Sequence, residues 1–102
     1  MAFIDVLVTF PNMDEARRIV RRLLKKRLIA CANVFPAQSM YRWDGKIEEH
    51  LEVAALMKTR KGNWPSLRAE VERLHPYEIP CITRMDASAN PRYERWVREE
   101  TK

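Results

Sequence analysis

The amino-acid sequence predicts an α+β domain: a four-stranded antiparallel sheet with two helices on one face, a long β-hairpin and a C-terminal helix. Three observations predict it. Four segments are rich in β-branched and aromatic residues, or alternate apolar and polar. Two segments carry apolar stripes at helical spacing. One Asp-Gly pair, Asp44-Gly45, joins two of the extended segments and is a strong hairpin signal.

The first extended segment runs from Phe3 to Phe10 through Ile4, Val6, Leu7, Val8 and Thr9. It is almost continuously apolar, as a central strand is, and Pro11 and Asn12 end it. A helix over Met13 to Lys26 follows, with Ala16, Ile19, Val20, Leu23 and Leu24 on one face. Asn12 followed by Glu15 resembles a capping box. Leu28 to Trp43 is extended: Ile29, Cys31, Asn33 and Phe35 share one face, and Ala30, Ala32 and Val34 the other. Pro36 lacks a donor, which predicts a bulge or bend.

After the Asp44-Gly45 turn, Ile47 to Thr59 returns with Leu51, Val53, Ala55 and Met57 on one face. Gly62 breaks the chain, and Asn63 with Pro65 starts a second helix whose stripe is Trp64, Leu67, Val71 and Leu74. That helix must end before Pro76. Ile79 to Met85 reads as the fourth strand, Ser88 to Pro91 as a turn, and a last helix from Asn90-Pro91 carries Tyr93, Trp96 and Val97. The first six elements spell the ferredoxin-like βαββαβ arrangement. Right-handed crossovers then place both long helices on the same side of the sheet.

The chain has 102 residues, read as a single domain over 1–102. Such a length buries roughly two-thirds of its unfolded surface. Two cysteines are too few for a disulfide scaffold. The longest uncharged run, Leu28 to Tyr41, is too short and polar to cross a bilayer, which needs about 20 apolar residues. The N-terminus lacks the features of a secretory signal, so a cytoplasmic location and no membrane partner are expected.

The net charge of +5 is local. Seven basic residues lie between Arg17 and Arg27, which leaves 12 basic against 14 acidic elsewhere. Two readings of the basic helix stay open: a solvated face whose last turn offsets the helix dipole, or a surface for an anionic partner, acidic groups of another subunit, or nucleic acid. Nucleic acid is not the expected partner, because no strand carries the glycine-aromatic motif of RNA-recognition modules on this type of fold. With only Gly45 and Gly62 there is no glycine-rich phosphate loop. No Ser-His-Asp set or zincin helix occurs either, and the chain is not expected to be an enzyme.

The sixteen residues of Leu28 to Trp43 would reach roughly 50 Å at about 3.3 Å each. A compact domain of this size is roughly 34 Å across. The hairpin should therefore overhang its own helices, carrying Met40, Tyr41, Trp43, Ile47 and Leu51 into solvent. The simplest cover for such an overhang is a neighbouring copy of the chain. The other reading is that Pro36 folds the strand back.

The segment Ala30-Cys31-Ala32-Asn33-Val34-Phe35-Pro36, then Ser39-Met40-Tyr41-Arg42-Trp43-Asp44-Gly45-Lys46-Ile47-Glu48-Glu49, resembles the signature of the CutA family. So do Glu52-Val53, Met57-Lys58-Thr59, His75-Pro76-Tyr77-Glu78-Ile79-Pro80, and the closing Asn90-Pro91, Tyr93 and Trp96-Val97. The ordered set covers nearly the whole chain. The resemblance implies a ferredoxin-like subunit in a tight homotrimer whose hairpins extend neighbouring sheets. It also implies a divalent-cation tolerance protein, linked to copper and other divalent cations and, in mammals, to acetylcholinesterase anchoring. The fold and trimer are similar to those of PII-type signalling proteins, which bind small ligands in clefts between subunits. Three departures stand out: Arg42 where relatives often have an aromatic, Cys81 where an acidic residue is common, and no proline in Met85-Asp86-Ala87-Ser88.

The candidate inter-subunit cleft comprises Tyr41, Trp43, Lys58, His75, Tyr77 and Glu78. His75-Pro76-Tyr77-Glu78 groups polar side chains on a turn stiffened by Pro76 and Pro80. It either forms part of a ligand cleft, or even an enzymatic site near His75, or is a helix stop whose imidazole satisfies helix-end carbonyls. With a two-residue turn, Cys31 faces Lys58; the ammonium either favours the thiolate or simply reaches solvent past a small buried thiol. The candidate metal ligands are His75, Cys31 and Cys81, with His50 also available, but no local ligand spacing joins them. A site would need convergence across strands or subunits. No cofactor is required, and copper or another divalent cation is the candidate ion. Cys81 in place of a carboxylate would favour softer ions. Glu48, Glu49 and Glu52 either make an acidic catalytic or cation patch, or solubilise a strand end or pair with arginines of a neighbouring subunit.

Overall fold

The computed structural model describes residues 3–102. Its elements are β1 (Phe3–Phe10), α1 (Met13–Lys25), β2 (Cys31–Trp43), β3 (Lys46–Thr59), a 3-10 turn (Lys61–Asn63), α2 (Trp64–Leu74), β4 (Ile82–Ala87) and α3 (Pro91–Glu100). The strands form one antiparallel sheet in the order β2-β3-β1-β4, the ferredoxin-like order.

One face of the sheet carries the core. Ile4, Val6, Val8 and Phe10 of β1 alternate toward it, as do Val53, Ala55 and Met57 of β3. Ile19 and Leu23 of α1 and Leu67 and Val71 of α2 close over them, all fully buried. On the other face, at the Phe3 end, Tyr93 of α3 packs edge-on against Phe3 with ring centroids 6.0 Å apart.

The hairpin turn has the geometry its residues demand: Asp44 and Gly45 take φ of 52° and 75°, the left-handed values of a two-residue turn. From there the β2–β3 ladder runs unbroken from Trp43↔Lys46 to Cys31↔Lys58. The bulge or bend expected at Pro36 does not occur. Pro36 pairs with Val53 in register. Because β2 is an edge strand, every second N–H faces away from its partner, and a proline is accommodated there.

β1 pairs with β3 only from Val53 onward, so the seven residues Lys46–Glu52 have β2 as their sole strand neighbour. That is about 23 Å of two-stranded ladder beyond the sheet. The molecule is accordingly elongated, 45 × 23 × 21 Å. The expected overhang is present. Met40, Ile47 and Leu51 on it are each about two-thirds exposed (66%, 70% and 68%). Leu51 shares a face with Val53 and Met57 but lies past the helices that bury them.

The fourth strand begins at Ile82 rather than the expected Ile79. Val8↔Ile82 is the last β1–β4 pair, and residues 75–81 are used to cross the end of β1. Pro80, which has no N–H to give, falls inside that connection. Asn12 caps α1 through the Glu15 amide at 2.9 Å, but only half of the capping box forms, because the Glu15 carboxylate takes Arg18 at 2.7 Å.

The basic helix face is partly engaged inside the chain. Glu70 of α2, itself buried, binds Lys26 at 2.7 Å and Arg73 at 2.9 Å, with Arg22 at 3.6 Å. Arg18 donates to the Leu74 carbonyl and Arg27 to those of Glu99 and Glu100, so each caps a helix C-terminus other than its own. Arg60 does the same at Arg98 and Thr101. The acidic counterpart of α1 thus comes from α2 of the same chain. Arg17, Arg21 and Lys25 keep no partner among the described residues.

Hydrogen bonds from Arg73 and then Lys26 hold the Glu70 carboxyl at about 2, below its ordinary 4.5. A depressed carboxylate contributes stability above its unfolded value and loses it as pH falls through the folded one. Glu70→Gln is expected to melt below the wild type at pH 7, with the gap closing as pH falls from 4.5 toward 2. Thermal melts across that range check it, and a gap that persists at the acid end rules out the linkage.

Candidate functional site

The connection 75–81 builds the site. His75 is buried where α2 ends and is held from three sides. Its ring stacks on Phe10, centroids 5.1 Å apart and planes 16° from parallel. Its Nδ1 accepts the Tyr77 backbone N–H at 3.1 Å. Nε2 therefore carries the ring proton and donates to the Thr9 carbonyl at 2.8 Å. With both nitrogens committed to backbone groups, no lone pair faces outward for a metal. His75 is a pin that fastens the connection to the end of β1.

The pin sets Tyr77 over the sheet's open face. Its phenol donates to Glu52 Oε2 at 2.6 Å. Burial first, and then this bond to the carboxylate, push the Tyr77 hydroxyl well above its ordinary range, so it stays a donor. Glu52 is only 7% exposed. The strand-end role open to it in the sequence does not apply. Ala37 stands opposite it in the ladder, and the small side chain leaves room for the carboxylate and the phenol.

These groups floor a groove of about 490 Å³ at the root of the hairpin. Tyr41, Trp43, Tyr77 and Glu78 line it, together with Cys81. Glu52, Met40 and Ile79 complete most of the wall, with Thr9 and Ser39 between them. Four of the six expected cleft residues therefore meet in one place. His75 lies behind the wall as its support.

Lys58 does not belong to this groove. It pairs with Asp5 in register, whereas the His75 pin sits at Thr9, about 13 Å further along β1. The Lys58 ammonium goes to Asn33 Oδ1 at 2.8 Å, not to the thiol opposite it in the ladder. Cys31 Sγ instead meets the Tyr93 hydroxyl at 3.1 Å. Burial, then that contact and the nearby Asp5 carboxylate, push the Tyr93 hydroxyl up to about 12. The candidate metal ligands are likewise kept apart: Cys31 under α3, Cys81 in the groove 3.5 Å from Thr83 Oγ1, and His50 beside Tyr41 on the hairpin. Among the described residues no three His, Cys, Asp or Glu side chains converge as a metal centre within one chain.

The sequence reading left Glu52 in a possible acidic patch with Glu48 and Glu49 and did not place it in the cleft. The signal was present in the turn arithmetic. A two-residue turn at Asp44-Gly45 puts Glu52 seven pairs from the turn, well into the ladder rather than at a strand end.

The model of the CutA1 divalent ion tolerance protein family matches residues 4–100. The chain belongs to that family. Among CutA relatives, the divalent-cation tolerance protein of Pyrococcus horikoshii is 47% identical, with 97% of this chain and 98% of that one covered. The crystal structure of CutA1 from the same organism superposes with a TM-score of 0.94 at 46% identity, covering 97% and 98% of the two chains. CutA from Archaeoglobus fulgidus, described as a periplasmic divalent cation tolerance protein, superposes with a TM-score of 0.95 at 37% identity over the full length of both chains. The CutA subunit fold is therefore established for this chain. No helix among the described residues is long and apolar enough to cross a membrane.

Proposed function

We propose that this CutA protein acts as a homotrimer in the response to divalent cations, with a small-ligand cleft at the root of each hairpin. The observation that carries the reading is the hairpin itself: a two-stranded ladder with Met40, Ile47 and Leu51 on one face and Tyr41 and Trp43 on the other, all exposed in the single chain. The sheet ends in two unlike free edges, β2 and β4. Contacts between unlike surfaces are head-to-tail, and they form a ring where the rotation between copies closes. A neighbouring copy would then cover the apolar hairpin and border the groove, in the manner of the PII-type proteins whose fold and trimer the CutA family's resemble.

The divalent cation enters this reading as the species tolerated rather than as a resident cofactor, and the role is non-catalytic. Copper is the favoured test ion. Its donors would come from more than one copy, since those of a single chain do not converge. Cys81 is the candidate with a free thiol exposed at the groove, and a thiolate selects softer ions. A cytoplasmic placement goes with two free cysteines, which a reducing compartment preserves.

Light scattering with copper calorimetry tests the proposal. The native mass is expected near three times 12.1 kDa. Cys81→Ser is expected to weaken copper binding to that species. A monomer at micromolar concentration defeats the assembly, and unchanged tight binding in the variant removes Cys81 from the site.

A further inference from the structure

Apart from the single thiol of Cys81, the groove has a chemical bias that neither a bare metal ion nor an anion satisfies. Its floor is the Glu52 carboxylate, more than nine-tenths buried. One oxygen, Oε2, accepts the Tyr77 phenol at 2.6 Å. No Lys, Arg or His among the described residues pairs with this carboxylate. A second carboxylate, Glu78, stands on the rim, and no basic side chain among the described residues lines the groove. This occurs on a chain whose net charge is +5, so the bias is local.

A buried carboxylate without a cationic partner is costly, and its natural complement is a positive charge. The walls narrow the choice. Tyr41, Trp43 and Tyr77 offer aromatic surface, and Met40 and Ile79 offer apolar surface. Aromatic faces attract organic cations that can shed water, and apolar walls bind a hydrocarbon body. A compact metal ion uses neither. Three converging donors, which a metal centre would need, are absent here among the described residues. The volume, about 490 Å³, lies in the range of small-molecule sites, roughly 300–1,000 Å³.

We infer that this groove binds an organic ammonium ion, a protonated primary amine carried on an apolar or aromatic body, with Glu52 as its counter-ion. The ammonium sits against Glu52, and Tyr77 orients the carboxylate from the far side. The aromatic and apolar walls take the body, and Glu78 adds attraction at the mouth. The inference deepens the cleft reading above and rests on the groove remaining open in the assembly.

The probe is 2-phenylethylammonium, titrated calorimetrically into the native protein beside its neutral analogue 2-phenylethanol and the anion 3-phenylpropionate. Saturable binding of the ammonium is expected, about tenfold or more tighter than the alcohol, with no binding of the anion. Glu52→Gln, which keeps size and shape, is expected to weaken the ammonium by about tenfold or more and leave the alcohol unchanged. Equal affinity for ammonium and alcohol overturns the inference, as does an unchanged affinity in the variant. If that variant does not fold, the three-probe comparison on the wild type decides alone. Light scattering on the same samples separates the two readings. A trimer that gives no ammonium heat overturns this inference and leaves the assembly standing. A loss of trimer in Glu52→Gln, with no ammonium heat in the wild type, means a basic side chain of a neighbouring copy holds the groove and also overturns it. A monomer that still binds the ammonium supports the inference and overturns only the assembly.

Discussion

His75→Phe is expected to lower stability by roughly 2–6 kcal/mol, because it leaves two backbone groups without partners at about 1–3 kcal/mol each. The phenyl ring preserves the volume and the stack on Phe10, so the loss isolates the hydrogen bonds to the Thr9 carbonyl and the Tyr77 N–H. His75→Gln keeps one donor and one acceptor on a longer, flexible chain and should recover part of the loss. The damage should also reach the groove, since the pin holds the connection that carries Tyr77 and Glu78. Urea unfolding at fixed protein concentration, with the ammonium titration alongside, measures both. A phenylalanine variant as stable as the wild type would show that solvent or a neighbour satisfies those two groups. A ligand role for the imidazole makes the opposite forecast, with stability held and metal affinity lost.

The second large effect is expected at the hairpin. Ile47→Lys combined with Leu51→Lys should convert a species of three times 12.1 kDa into one of 12.1 kDa while leaving the subunit folded. Both residues lie on the helix-side face of the ladder but beyond the helices, about 70% and 68% exposed, so the single chain loses little when they change. In an assembly, burying each is worth about 1.5–3 kcal/mol, and a cyclic oligomer repeats the loss in every copy. Far-UV circular dichroism should keep its α+β signature, and light scattering should report the fall in mass. A double variant that stays at the higher mass places the contact elsewhere, with the β4 edge the next surface to alter.

Much of this fold can be read from local chemistry. Asp44-Gly45 dictates a turn that only left-handed residues make, and once the turn is placed, pleat and parity fix every pair from Trp43↔Lys46 to Cys31↔Lys58. The stripes of α1 and α2 are equally plain. What could not be read depends on tertiary placement. Pro36 signals a bulge by itself, and it is harmless only because β2 lies at the edge of the sheet, which the sheet order decides. Ile79 has the composition of a strand residue but is 70% exposed, because the connection must first pass the end of β1. The site divides in the same way. The aromatics Tyr41, Trp43 and Tyr77 are visible as a constellation, whereas His75 turns from ligand to pin through contacts with β1 sixty or more residues away in sequence. The charged helix is the clearest case. Seven basic residues invite an external anion, yet Arg18, Arg22, Lys26 and Arg27 find partners within the chain once Glu70 and the exposed ends of α2 and α3 are brought beside them, which leaves Arg17, Arg21 and Lys25 facing outward.

The hairpin also divides the route to the native state into two kinds of step. Every β2–β3 pair is symmetric about one turn, so the ladder can zip outward from Asp44-Gly45 with each contact shortening the search for the next. Hairpins of this kind close in about 1–10 μs, and their rate is independent of concentration. β1 must instead find β3 across some fifty residues and β4 across nearly eighty, a slower search over long loops. Until the hairpin is covered, its free edge and apolar tip are available to any other chain, native or not. Dilution therefore protects the subunit while it folds, and concentration drives it afterwards.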